Sequence, residues 1–251
     1  VSKLPHKRVQ TTRQEGAMTL AIRSAVAYPD PAAWPIQRQG VNECGCVAAA
    51  NALNLLAGRL VYAKDDLVRE AGIFFQRRLG GTPSPVTGWL LRRHGAGTHF
   101  GNLRDTDADT VLRDLIDRGA LAVVEIGENR LGPFTIYGRH AILLIGYAAG
   151  ADGTTAEYYV VDSEWPDEPG RQAPGNRTIG RAEFAAQFTT GIYFPVFRNQ
   201  AEHDAWYWVS MRVRRGPPLL SALAAAAFSG SRDIWIGVGK QTAPSPAMLI
   251  R

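Results

Sequence analysis

Cys44, His140 and Asp162 are residue types that together can do nucleophilic chemistry. The chain has two cysteines, Cys44 and Cys46. One intervening residue is a poor spacing for a structural disulfide, and a zinc site wants about four ligands where no pair of Cys or His stands nearby. No metal and no cofactor are expected, and the thiols are expected to be free, either packed and inert or nucleophilic. A thiol at a helix N-terminus feels the positive end of the helix dipole, which favours thiolate. A nearby imidazolium favours it further, and a carboxylate on a neighbouring strand can hold that imidazole in one orientation. An oxyanion needs two donors: the Cys44 backbone N–H can be one, and the side-chain amide of Gln39 or Gln37 the other.

Those roles require elements that end in the right places. From Gly45 to Ala57 the chain is rich in Ala and Leu and closes on Gly58, which predicts a helix buried almost all round, with Cys44 at its start. His140–Tyr147 is nearly continuous in apolar residues and predicts a strand buried on both faces. Tyr158–Asp162 predicts its antiparallel hairpin partner. His140 then opens one strand and Asp162 closes the next, so the two ends lie side by side. Further helices are predicted from Asp65 or Asp66 to about Arg78, over Val86–Arg93, and from Asp107 to Arg118, where Val111, Leu112, Leu115 and Ile116 share a face. Strands are predicted over Leu121–Ile126, Ile192–Val196 and Trp206–Val213. Helices first and strands after predict an α+β fold. Residues 1–35, with Pro29, Pro31 and Ala32–Ala33, read as an extended lead-in.

Composition removes several classes. Of 251 residues, 45% are apolar and 20% charged, a globular balance that excludes wholesale disorder. No apolar run is long enough for a membrane span, and no apolar run follows the basic N-terminus, so neither a span nor a signal peptide is expected. A net charge of +5 is mild, and the basic residues form no block longer than Arg212, Arg214 and Arg215, which argues against nucleic acid as partner. Only four of the 28 basic residues are lysine. A GC-rich bacterial genome accounts for that; so does work in a setting where lysine, the ubiquitin acceptor, is a liability.

The run from Gln39 to Cys44-Gly45, the helix ending Asn54-Leu55-Leu56-Ala57-Gly58, the strand His140–Tyr147 and Tyr159-Val160-Val161-Asp162 resemble papain-like cysteine peptidases. They look closest to the bacteriocin-processing (double-glycine) peptidase domains of exporters. Trp89–Gly95 and Asp114–Gly119 stand in the order of that branch. The resemblance spans about residues 36–165. Gln39 stands five residues before Cys44, a spacing similar to that of Josephin deubiquitinases; the family's more usual six falls on neither glutamine. Trp165 resembles the tryptophan that shields the bond between His and its orienting residue, or else is a core aromatic.

The resemblance implies a papain-like fold: a helical N-terminal part whose buried nucleophile helix packs on an antiparallel sheet. Residues 1–35 would be an extension, 36–200 the catalytic domain, and 201–251 an extension packed on or continuing the sheet. It implies a thiol hydrolase acting on a polypeptide, with Cys44, His140, Asp162 and Gln39 as machinery and a peptide, host or ubiquitin-like protein as partner. A soluble chain in a reducing compartment, secreted by a bacterium into a host cytosol as an effector, fits the tails and the scarcity of lysine. A glutamine deamidase or transglutaminase would use the same triad, and an inactive binding module would keep only the fold. Cys46 stays open as an alternative nucleophile. His94 and His99 read as surface loop histidines, His6 and His203 carry no role, and Leu79-Gly80-Gly81 has the look of a double-glycine site in a turn.

Overall fold

A computed structural model describes residues 10–15, 18–25, 36–72, 81–104, 107–131, 134–137, 139–168, 171 and 173–215. The chain divides into two compact units, Val1–Asp204 and Ala205–Arg251.

The first unit is α+β. Its centre is helix α1, Cys44–Ala57, whose residues from Gly45 to Leu55 are all buried. Alanines at 48, 49, 50 and 52 keep its surface smooth, so it packs closely on strand β7, His140–Ala149. The helix ends as its composition predicts. Gly58 is left-handed (φ 67°), its N–H reaches the Leu55 carbonyl and that of Arg59 the Asn54 carbonyl, closing a Schellman turn. Helix α2, Lys64–Ala71, covers the first part of the expected helix and is followed by Gly72; residues 73–78 lie outside the described residues, as do Leu79 and Gly80. Helices α3, Ser84–Arg93, and α4, Ala108–Asp117, match expectation; Asp107 caps α4 by accepting from the Thr110 N–H.

Among the described residues, strand β7 organises an eight-stranded sheet. Along one edge it pairs antiparallel with β8, Thr155–Val161. Along the other, its first half pairs with β4, Leu121–Ile126, and its second half with β2, Met18–Ser24. Beyond β4 lie β10, Ile192–Val196, and the two-residue β3, Gly101–Asn102. Beyond β8 lies β9, Arg177–Gly180, which leads into α5, Arg181–Gln187.

Two expectations change. The lead-in is not merely extended: Gln10–Glu15 forms β1, paired with β2, and β2 joins the sheet. The alternation Met18, Leu20, Ile22 against Thr19, Ala21, Arg23 is the period-two signal for it, and Ile22 is buried. Trp206–Val213 is helical, lying within α6, Gln200–Arg215. Its aromatics favour strand, but Asn199 and Glu202 form a reciprocal cap at its start: Asn199 Oδ1 accepts from the Glu202 N–H at 3.0 Å, and Nδ2 donates to Glu202 Oε1 at 3.1 Å. Apart from the main sheet, β5, Asn129–Leu131, and β6, Phe134–Tyr137, form a separate two-stranded sheet.

Among the described residues, no helix is long and apolar enough to cross a membrane.

Candidate active site

Cys44 is the first residue of α1 and only half-buried. The residue before it, Glu43, caps the helix without a side-chain bond to the first-turn N–H groups. Its carboxylate turns the other way: Oε2 accepts from the Gly40 N–H at 2.7 Å and from Lys64 Nζ at 2.9 Å. The N-terminal turn is thus held from behind while no cap side chain occupies its donors.

Gly45 explains why the thiol is followed by glycine. A Cβ there would stand 2.5 Å from Thr87 Oγ1 on α3, so any larger residue pushes the two helices apart. Two buried amides anchor the flanking chain to α1. Asn51 Oδ1 accepts from the Gln37 N–H at 3.2 Å, and its Nδ2 donates to the Gln37 carbonyl at 3.3 Å. Asn54 Oδ1 accepts from the N–H groups of Val61 and Tyr62 at 2.7 and 2.8 Å, and its Nδ2 donates to the Tyr62 carbonyl at 2.8 Å.

His140 opens β7 and Asp162 follows β8 directly. His140 Nε2 lies 2.8 Å from Asp162 Oδ1, with the His140 side chain 12% exposed and that of Asp162 2%. Cys44 stands within hydrogen-bonding reach of the same imidazole. With Nε2 on Asp162, Nδ1 is the ring nitrogen left to serve Cys44. Burial alone would lower the His140 pKa, but hydrogen bonds to Asp162 and Cys44, and their charges, raise it from 6.5 to about 10. Burial likewise opposes ionisation of Asp162, yet the hydrogen bond and charge of His140, followed by Arg177 and the Glu164 N–H, bring it down to about 2. A protonated imidazole beside an ionised Asp162 follows from this geometry.

Cys46 has the opposite surroundings. It is fully buried, and its Sγ lies 3.2 Å from Thr82 Oγ1. Burial raises its pKa from 9.0 to about 11, opposed by the Thr82 hydrogen bond and reinforced by charge at Cys44 and Glu43. It is a thiol at neutral pH.

The two glutamines also part. Gln37 is committed to scaffolding: Nε2 donates to the Tyr62 carbonyl at 2.8 Å and Oε1 accepts from the Lys64 N–H at 2.6 Å. Gln39 lies against the segment after Asp162, with Oε1 accepting from Ser163 Oγ at 2.7 Å and Nε2 donating to Glu164 Oε1 at 2.6 Å.

Trp165 is not a core aromatic. It is 47% exposed, and its ring lies under the Arg177 guanidinium, 4.5 Å from centroid to Cζ. His94 and His99 do lie outside helices and strands, but both are half-buried and partnered: His94, which caps the end of α3, meets Glu70 at 2.8 Å, and His99 Nδ1 is 2.7 Å from Nε2 of the buried His203.

Sequence reasoning missed two residues beside Asp162. Asn176 brackets its backbone, and Arg177 Nη1 meets its Oδ2 at 2.8 Å. The run Pro174-Gly175-Asn176 carries a turn signal, but nothing local marks Arg177, because its position depends on β9 pairing with β8.

No protein-family model matches the chain, and no curated protein matches it in sequence. Among solved structures the chain is similar to one described as a double glycine motif protease from an AMS/PCAT transporter in complex with the leader peptide. Identity is 15%, the match covers 75% of this chain and 99% of that one, and the TM-score is 0.43.

Proposed function

We propose that the protein is a papain-like thiol hydrolase acting on a polypeptide. The observation that carries this reading is the hydrogen-bonded line in which His140 stands between Cys44 at a helix N-terminus and the buried Asp162. The order of those residues along the chain is that of the family the sequence resembles.

In the first half-reaction the Cys44 thiolate attacks the scissile carbonyl carbon, and the carbonyl π pair moves onto oxygen. That oxyanion is met by backbone N–H groups of the first turn of α1. Gln39 is assigned as side-chain donor: its amide carries two hydrogens, and the bond to Glu164 uses one and leaves the second for the oxyanion. The imidazolium of His140 gives its Nδ1 proton to the leaving amine, and the C–N bond breaks to leave a thioester. Water then attacks the thioester as His140 accepts its proton. Collapse releases the acid and returns the thiolate–imidazolium pair. Asp162 keeps the ring in the orientation both transfers need.

Two exposed apolar side chains support a polypeptide substrate: Val41, just before Cys44, is 72% exposed, and Trp165, just after Asp162, is 47% exposed. They give an incoming chain apolar contacts on the segments that carry nucleophile and acid.

The test is mass spectrometry of a defined peptide pool incubated with wild type and Cys44→Ala. Fragments formed by wild type alone support a peptidase. A gain of about one dalton on glutamine peptides, with no fragments, would instead mark a deamidase using the same acyl-enzyme. A pool processed equally by Cys44→Ala overturns the reading.

A further inference from the structure

Asp162 is almost fully enclosed, and a lone carboxylate in such a place would tend to take up a proton or turn away from its partner. Its surroundings prevent both. Oδ1 accepts from His140 Nε2 at 2.8 Å and from the Glu164 N–H at 3.0 Å. Oδ2 accepts from Arg177 Nη1 at 2.8 Å. Arg177 is itself held, its side chain only 12% exposed: Nη2 donates to Glu183 Oε1 on α5 at 3.0 Å, and the guanidinium carbon stands over the Trp165 ring, 4.5 Å from its centroid. The β8–β9 register sets Arg177 opposite Val160, two residues before Asp162. A planar fork fixed on three sides can hold a carboxylate in one rotamer in a way that a flexible ammonium cannot.

We propose that Arg177 is a positioning residue of the active site: it holds Asp162 ionised and in the rotamer that points Oδ1 at His140, with Trp165 and Glu183 holding Arg177. This deepens, and rests on, the thiol-hydrolase reading. Other charged groups that face this cluster are Arg38, whose Nη1 donates to the Asp162 carbonyl at 3.3 Å and whose Nη2 pairs with Asp167 at 2.7 Å, Glu164 on Gln39, and Glu43 behind Cys44. Their side-chain contacts do not pass through the Asp162 carboxylate, so those contacts stay in place when Arg177 is changed.

The role predicts how the thiolate–imidazolium pair titrates. The rate of Cys44 alkylation by iodoacetamide rises with pH as the thiolate forms and changes again as the imidazolium loses its proton. Loss of a positioned Asp162 weakens both partners. Arg177→Met therefore moves the acid limb up and the basic limb down, each by about one pH unit, narrowing the window from both sides. Arg177→Lys, with one charged donor and no fork, recovers part of each shift. Should Arg177→Met not fold, the double variant Trp165→Ala/Glu183→Gln frees the guanidinium by changing two half-exposed side chains and moves both limbs in the same senses by less.

A through-space charge effect alone would raise both limbs together, and a purely structural role would lower Tm with both limbs unmoved; either result overturns the proposal. If wild-type Cys44 shows no limb that His140→Ala abolishes, the thiol-hydrolase reading itself fails. If wild type shows that limb and the Arg177 variants match it, only the role of Arg177 fails.

Discussion

Asn176 grips the backbone of Asp162 from both sides, its Oδ1 accepting from the Asp162 N–H and its Nδ2 donating to the Asp162 carbonyl, each at 2.8 Å. The same Nδ2 donates to the Trp165 carbonyl at 2.7 Å, so one buried amide fixes both ends of the segment that turns the chain after β8. Asn176→Ala takes the side-chain acceptor from the Asp162 N–H and one donor from each of two carbonyls, which keep Arg38. It is expected to cost about 2–4 kcal/mol of stability and to slow Cys44 alkylation, through loss of the Asp162 position. Asn176→Asp keeps the acceptor but loses the donor, and falls between Ala and wild type. Denaturant melts with alkylation rates on the same samples check both.

Cys46 is expected to be chemically silent. Iodoacetamide at mildly acidic pH labels Cys44 and leaves Cys46 untouched, as peptide mapping reads directly, because burial holds the Cys46 thiol near pKa 11. Cys46→Ala removes one small buried group and its contact with Thr82. It costs about 1 kcal/mol, a fall in Tm of roughly 2–4 °C, with the Cys44 labelling rate unchanged. Dominant labelling of Cys46 would reverse the assignment of the nucleophile.

The pH dependence of stability follows from His140. Its pKa is 6.5 when unperturbed and about 10 in the fold, where Asp162 and Cys44 favour the proton that burial disfavours. A group whose folded pKa is raised contributes stability that is complete below the unfolded value and is lost as pH rises through the folded one. Wild type therefore loses stability steadily from about pH 6.5 toward about pH 10. His140→Gln flattens that decline, which calorimetry between about pH 7 and 8.5 measures before Cys46 begins to titrate. Parallel slopes for the two proteins would contradict the raised pKa.

Gly45 and Thr87 are expected to be coupled. A Cβ at position 45 meets Thr87 Oγ1 at 2.5 Å, so Gly45→Ala displaces the start of α1 and with it Cys44. Gly45→Ala alone costs about 1–3 kcal/mol by overpacking. Combined with Thr87→Ala, which opens the space, the loss is smaller than the sum of the two single changes by about 1 kcal/mol. A double-mutant cycle in urea gives that coupling, and additive costs would mean that the helices adjust freely.

Chain order and local pattern were enough to find the ends of the elements that matter. The Ala-rich run closing on Gly58 is a helix, the apolar run after His140 is a buried strand, and Asp162 ends its hairpin partner. Each is a matter of propensity, periodicity or turn chemistry within a few residues of the side chain concerned. The difference in surroundings between Cys44 and Cys46 was half legible in the same way, since the start of a helix differs electrically from its interior.

What lay beyond the sequence has a common cause: it depends on partners far along the chain. Arg177 sits on a four-residue strand with no pattern of its own, and only its pairing with β8 brings it to Asp162. The lead-in became sheet because β7 is long enough to offer a second neighbour an edge beyond the end of β4. Trp206–Val213 became helix because the Asn199–Glu202 cap and the helix it starts outweighed aromatic strand propensity. Residue types and element ends, written locally, determined which chemistry this chain could attempt. Solvent exclusion and long-range strand pairing, which act only in the folded molecule, decided that Cys46 stays a thiol, that Gln37 is scaffold, and that Asp162 has an arginine at its back.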